Sequence, residues 1–85
     1  MTENLELNRM RWRCRRGLLE LDLLLGPFFE AMYLTLEADQ QLSFQLLLEQ
    51  EDPDLLEWFS QKSRSTDPGM AALVDLMLKR VQPSS

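Results

Sequence analysis

Apolar residues recur along this chain at spacings of three and four, the period of a helix that buries one face. The pattern is clearest at Met70, Leu73, Val74, Met77, Leu78 and Val81, which form one stripe. Asp67 stands before it as an N-cap, with Pro68 at the first helical position, where a missing N–H does no harm. Asp75 and Lys79 make an i, i+4 pair of the favoured polarity. Asp52 and Pro53 repeat this start for a shorter helix carrying Leu55, Leu56, Trp58 and Phe59. The segment QKSRSTDPG between the two reads as a linker.

Upstream the pattern predicts three more helices. One runs from about Glu37 to Gln50, with Leu42 and Leu46 as its inner face and Phe44, Leu47 and Leu48 widening the apolar surface. Its N-cap is weak by composition. A central helix covers residues 18 to about 35, where Leu18, Leu21, Leu25, Phe28, Phe29 and Met32 share one side. Pro27 should kink or split it, and Leu19, Leu23, Leu24 and Leu34 fall off the stripe. The first helix runs from about Leu5 to Arg16, with Leu7, Met10 and Cys14 inward. Leu5, Arg9, Trp12, Arg13 and Arg16 fall on its opposite side. No stretch alternates with period two, and no Asn-Gly or Asp-Gly hairpin is present. The expected fold is all-α: a compact bundle of about five short helices in a single domain over residues 1–85, with QPSS at 82–85 a frayed tail.

Composition narrows the chemistry. A chain of 85 residues buries only roughly 60% of its unfolded surface, so its core must be efficient. The one cysteine, Cys14, allows no internal disulfide, and it sits on the predicted core stripe as a small hydrophobe. There is no histidine, so a His general base, a His metal ligand and a Ser-His-Asp triad are excluded. Glu20 and Asp22 lie two apart on a helix and face different ways. The residues offer no enzyme site and no metal cluster. The apolar run from Leu23 to Phe29 is far shorter than the roughly 20 residues of a membrane span. The opening MTENLELNRMRWRCRR has no apolar h-region, and Glu3 and Glu6 argue against a transit peptide. The expected location is the cytoplasm.

The net charge of −5 is unevenly spread. Arg9, Arg11, Arg13, Arg15 and Arg16 crowd the first helix. From Gly17 to Gln61 there is no lysine or arginine, but Glu20, Asp22, Glu30, Glu37, Asp39, Glu49, Glu51, Asp52, Asp54 and Glu57 fall there. One basic end on an acidic body points to a charged partner surface, or to charges that neutralise one another across the fold. Phosphate neutralisation dominates nucleic-acid binding, so the acidic remainder argues against a nucleic-acid module. Trp12 among arginines has two readings. It stacks on Arg9 or Arg16 or closes the core edge, or it belongs to an interface, where Trp and Arg are enriched.

The octet RRGLLELD, residues 15–22, is a helix stop beside a helix start. Gly17 supplies the left-handed conformation that ends the first helix. Arg15 and Arg16 sit in its last turn and Glu20 in the next helix's first, each favoured by the helix dipole. Helix punctuation accounts for every residue type here. Glycine also lets another molecule approach the backbone.

The string WRCRRGLLELDLLLGPFF, Trp12 to Phe29, resembles the SdhE family of flavinylation factors, whose mitochondrial counterpart is succinate dehydrogenase assembly factor 2. Arg16, Gly17 and Glu20 match its R-G-x-x-E motif. Leu21, Asp22, Pro27, Phe28, Phe29 and Tyr33 follow the pattern, and DPDLLEW, Asp52 to Trp58, resembles its second block. The likeness runs from about Arg9 to Phe59; Glu37 departs from a serine-like cap. It implies a five-helix protein, no enzyme itself, that binds the flavoprotein subunit of succinate dehydrogenase, and often of fumarate reductase. It promotes covalent attachment of FAD to a histidine of that partner, without binding FAD tightly. The residues it implies for partner binding are Arg9, Trp12, Arg16, Gly17, Glu20 and Asp22, with the free protein a monomer. An antitoxin or a regulator of another cytoplasmic protein is the alternative the resemblance leaves open.

Overall fold

Helix starts and stops fall largely where the local chemistry places them. The computed structural model describes residues 2–81, which form α1 (Thr2–Arg13), α2 (Leu19–Met32), α3 (Ala38–Leu48), α4 (Asp52–Phe59) and α5 (Pro68–Val81). A 3-10 turn, Tyr33–Thr35, closes the end of α2. Among the described residues there is no strand. The tail expected at 82–85 lies outside the described residues.

Asp67 caps α5 as its sequence implies, its Oδ1 accepting the Met70 N–H at 3.1 Å. Asp52 does not cap α4. It is the first residue of that helix, and Glu51 precedes it in extended conformation without a side-chain cap bond. The Asp52 carboxylate lies 3.2 Å from Arg16 Nε instead. The start of α3 is better made than its composition implies, because Gln40 Oε1 reaches back to accept the Glu37 N–H at 3.0 Å. Pro27 neither splits nor ends α2, which continues to Met32. It sits on the exposed side, where water can satisfy the carbonyl its ring leaves without a partner.

The core is one cluster. Leu21, Leu25, Phe28 and Phe29 of α2 meet Phe44, Leu47 and Leu48 of α3, Leu55 and Phe59 of α4, and Leu73, Val74 and Met77 of α5. Helices α3 and α5 pack most extensively, α2 lies across α5, and α1 rests on α3. The stripe expected for α2 holds: four members are buried, and Leu18 and Met32 are half-buried against the cluster. Along α5 the stripe holds as far as Leu78, and Val81 is exposed.

The inner face expected for α3 is corrected. Leu42 and Leu46 are 60% and 44% exposed, while Phe44, Leu47 and Leu48 face inward. Aromatic packing sets this roll. The Phe44 ring lies 5.8 Å from Phe28, 6.0 Å from Phe29 and 5.6 Å from Tyr33, separations typical of favourable ring pairs. The polar residues turned toward this edge are satisfied by Tyr33. Gln41 Nε2 donates to its carbonyl at 2.9 Å, and Gln45 Nε2 to its hydroxyl at 2.8 Å.

Candidate functional site

The α1–α2 junction is built around a left-handed glycine. Helix α1 ends at Arg13, earlier than its sequence implies, so Arg15 and Arg16 lie beyond it rather than in its last turn. Cys14 N–H still bonds the Met10 carbonyl at 3.0 Å, and Arg15 N–H the Trp12 carbonyl at 3.0 Å. Gly17 then takes φ of +80°, a conformation that costs other residues about 1–2 kcal/mol. A Cβ there would meet nothing within 4 Å. The requirement is conformational, and the space beside Gly17 stays open.

Arg16 turns into the fold. Its Nη2 donates to the carbonyls of Leu48 at 3.0 Å and Gln50 at 2.7 Å. These are orphan acceptors at the end of α3. Its Nε is buried and pairs with Asp52 by charge alone, the angle being wrong for a hydrogen bond. Arg16 therefore bolts the junction to the α3–α4 turn. Asp22 holds the other side: its Oδ1 accepts the Arg16 backbone N–H at 2.8 Å. Backbone carbonyls as partners leave no trace in a sequence, so the geometry alone reveals this clamp.

Trp12 turns outward and is 71% exposed. Its ring carries the Arg15 guanidinium 5.6 Å from the centroid; Arg15, rather than Arg9 or Arg16, is the stacking partner. Leu19 at 70%, Leu5 at 58% and Leu23 at 58% add exposed apolar surface on α1 and α2. Glu20 is exposed in the first turn of α2. Arg9 is exposed too, beside a hollow toward α3 that it lines with Arg13, Gln45 and Glu49. The six expected partner-binding residues thus separate. Arg16 and Asp22 fasten the junction, and Trp12, Gly17, Glu20 and Arg9 remain open to solvent.

Arg11, on the α2-facing flank of α1, holds the two helices together. It forms a hydrogen-bonded ion pair with Glu30, and its guanidinium lies 5.6 Å from the Phe29 ring centre. That bond holds the Glu30 carboxyl below its ordinary value. Cys14 is buried at the base of the junction, and burial pushes its thiol up to about 12. It is a packing residue with little thiolate at neutral pH. Among the described residues there is no cluster of acids or cysteines that could hold a metal ion, and no helix long and apolar enough to cross a membrane.

The chain is similar to proteins of one family. The family described as Sdh5, flavinator of succinate dehydrogenase, matches residues 8–81. The FAD assembly factor SdhE of Pseudomonas putida is 48% identical over 84 residues, which cover 98% of this chain and 99% of that protein. The SdhE of Pseudomonas aeruginosa is 45% identical over 83 residues, again 98% and 99% of the two chains. That of Vibrio parahaemolyticus is 47% identical over 70 residues, 82% and 81% of the two. On the match over residues 8–81 and on these identities, the chain belongs to the Sdh5 family of succinate dehydrogenase flavinators, together with the FAD assembly factors SdhE.

Proposed function

We propose that this protein binds the flavoprotein subunit of succinate dehydrogenase, and that of fumarate reductase, and promotes covalent attachment of FAD to it. The observation that carries the reading is family membership over residues 8–81. The exposed Trp12–Gly17–Glu20 surface supplies a contact region in keeping with it. Trp12 and Leu19 offer apolar area, Glu20 an acceptor, and Gly17 a backbone a partner can approach closely.

In this reading the bond to FAD forms at a histidine of the flavoprotein. This chain binds no FAD tightly and performs no chemical step. It holds the flavoprotein in a geometry that favours attachment, the kind of contribution that positioning makes to rate. Arg16 and Asp22 act from behind, keeping the junction in one shape so that the contact is made without ordering cost. The free protein is a cytoplasmic monomer. In cells lacking it, the flavoprotein is expected to carry less covalent flavin, read as fluorescence in a denaturing gel. Unchanged fluorescence, with no redundant factor, overturns the proposal.

A further inference from the structure

A second feature lies away from the α1–α2 junction. Helix α4 ends in a Schellman turn: Lys62 N–H bonds the Glu57 carbonyl at 2.9 Å, and Gln61 N–H the Trp58 carbonyl at 3.2 Å. The left-handed position of such a turn is usually glycine. Here it is Gln61, at φ of 64°. Gln61 lines two neighbouring cavities, of about 320 and 560 Å³, which also share Asp75. Together they make an open trough along α5, from Trp58 to Lys79. Ala71, Val74 and Leu78 give it apolar walls.

The charge at this end is basic. Lys62, Arg64, Lys79 and Arg80 are four of the nine lysines and arginines, all exposed. Asp75 is the one acid lining the trough, and it and Arg64 offset each other through two hydrogen bonds of 3.0 and 2.7 Å, which leaves Lys79 as the lining cation open to a partner. A carboxamide has both a donor and an acceptor and so matches a peptide group. Cations at the rim match carboxylates, and an elongated trough with small apolar walls matches an extended chain.

We propose that this trough is a second docking surface, which takes an extended acidic segment of a partner protein. Gln61 reads the segment's backbone, and Lys79 with its neighbours reads its carboxylates. Glycine at this left-handed position would avoid the conformational cost but would lack the carboxamide. This surface is separate from the one assigned to the flavoprotein contact, and its test reads binding rather than flavin.

The test is a titration of the full protein, followed by amide and indole resonances. The probe is a short end-blocked peptide, Glu-Val-Glu-Ser-Glu-Val. Saturable shifts are expected at Trp58, Gln61, Arg64, Val74 and Asp75. Lys79→Glu is expected to weaken binding by at least about fivefold. Gln61→Gly should weaken it also, while keeping a thermal midpoint at or above that of the parent, which separates recognition from folding. Absence of shifts in the trough, equal shifts with a Lys-for-Glu peptide, or the same shifts with inorganic phosphate would each overturn the proposal.

Discussion

Arg16 and Trp12 are four residues apart at one helix junction, and they do opposite things. Arg16 is drawn inward, with its guanidinium on the Leu48 and Gln50 carbonyls and beside Asp52. Trp12 lies on the surface, stacked with Arg15. The difference follows from where α1 stops. After Arg13 the chain leaves the helical path, and Arg16 no longer continues the outward row of Arg9 and Trp12. A sequence motif thus mixes residues that shape a surface with residues that present it.

The largest effect expected is on the inward side. Arg16→Ala removes two charge-assisted hydrogen bonds and leaves orphan carbonyls at the end of α3. A loss of about 2–3 kcal/mol is expected, read as a fall in urea midpoint. Arg16→Lys should recover only part of it, because one ammonium cannot reproduce the fork. A stability equal to the parent's in Arg16→Ala would break the contrast. It would place Arg16 with the presented residues.

Gly17 sits between the two roles and sharpens them. Gly17→Ala is expected to cost about 1 kcal/mol for the left-handed backbone alone, since no neighbour is within reach of its methyl. Gly17→Arg should cost a similar amount in stability and keep its helical circular dichroism. It should also abolish covalent flavinylation of the partner, because the bulk lies in the open space. If Gly17→Arg is unfolded, the glycine serves the fold only.

Acid gives a smaller effect. Glu30 and Asp75 each have a carboxyl lowered below the ordinary 4.5 and 3.8, in both cases mainly by a hydrogen bond from arginine. As pH falls, the unfolded chain takes up these protons first. The stabilisation is therefore present above the ordinary values and is lost as pH drops through the folded ones. Both pairs are exposed, so the contribution is small. Glu30→Gln should flatten the acid limb of a pH–stability curve and leave the neutral plateau nearly unchanged. Cys14 works in the opposite range. Its thiol, raised by burial from 9.0 to about 12, contributes stability that is lost as pH rises between those values. A thiol reagent at pH 8 should label it only as fast as the protein opens.

Periodicity and caps made the helices legible. The stripes of α2 and α5, the Asp67 cap and the left-handed glycine can all be read from nearby residues, because local chemistry decides them; the end of α1 at Arg13, short of Gly17, cannot. The roll of α3 could not be read this way. Leu42 and Leu46 look as apolar as Leu47 and Leu48, and the choice between them belongs to the ring cluster of Phe28, Phe29, Tyr33 and Phe44. The residues of the candidate site were legible as a group, through Trp12, the arginines and the R-G-x-x-E pattern. Their division was not, because the partners of Arg16 are carbonyls 32 and 34 residues away. Gln61 was hidden for a related reason: its sequence carries no sign of a left-handed backbone.

The contrast between Arg16 and Trp12 is tested most directly on the outward side, where stability is expected to change least. Truncating an exposed side chain should move stability by no more than about 0.5 kcal/mol. The measurement is the covalent flavin fluorescence of the succinate dehydrogenase flavoprotein, in cells whose only copy of this protein is Trp12→Ala, with the thermal midpoint of the purified variant beside it. A parental midpoint and a clear loss of covalent flavin are expected. Full flavinylation by a Trp12→Ala protein of parental stability would contradict that contrast.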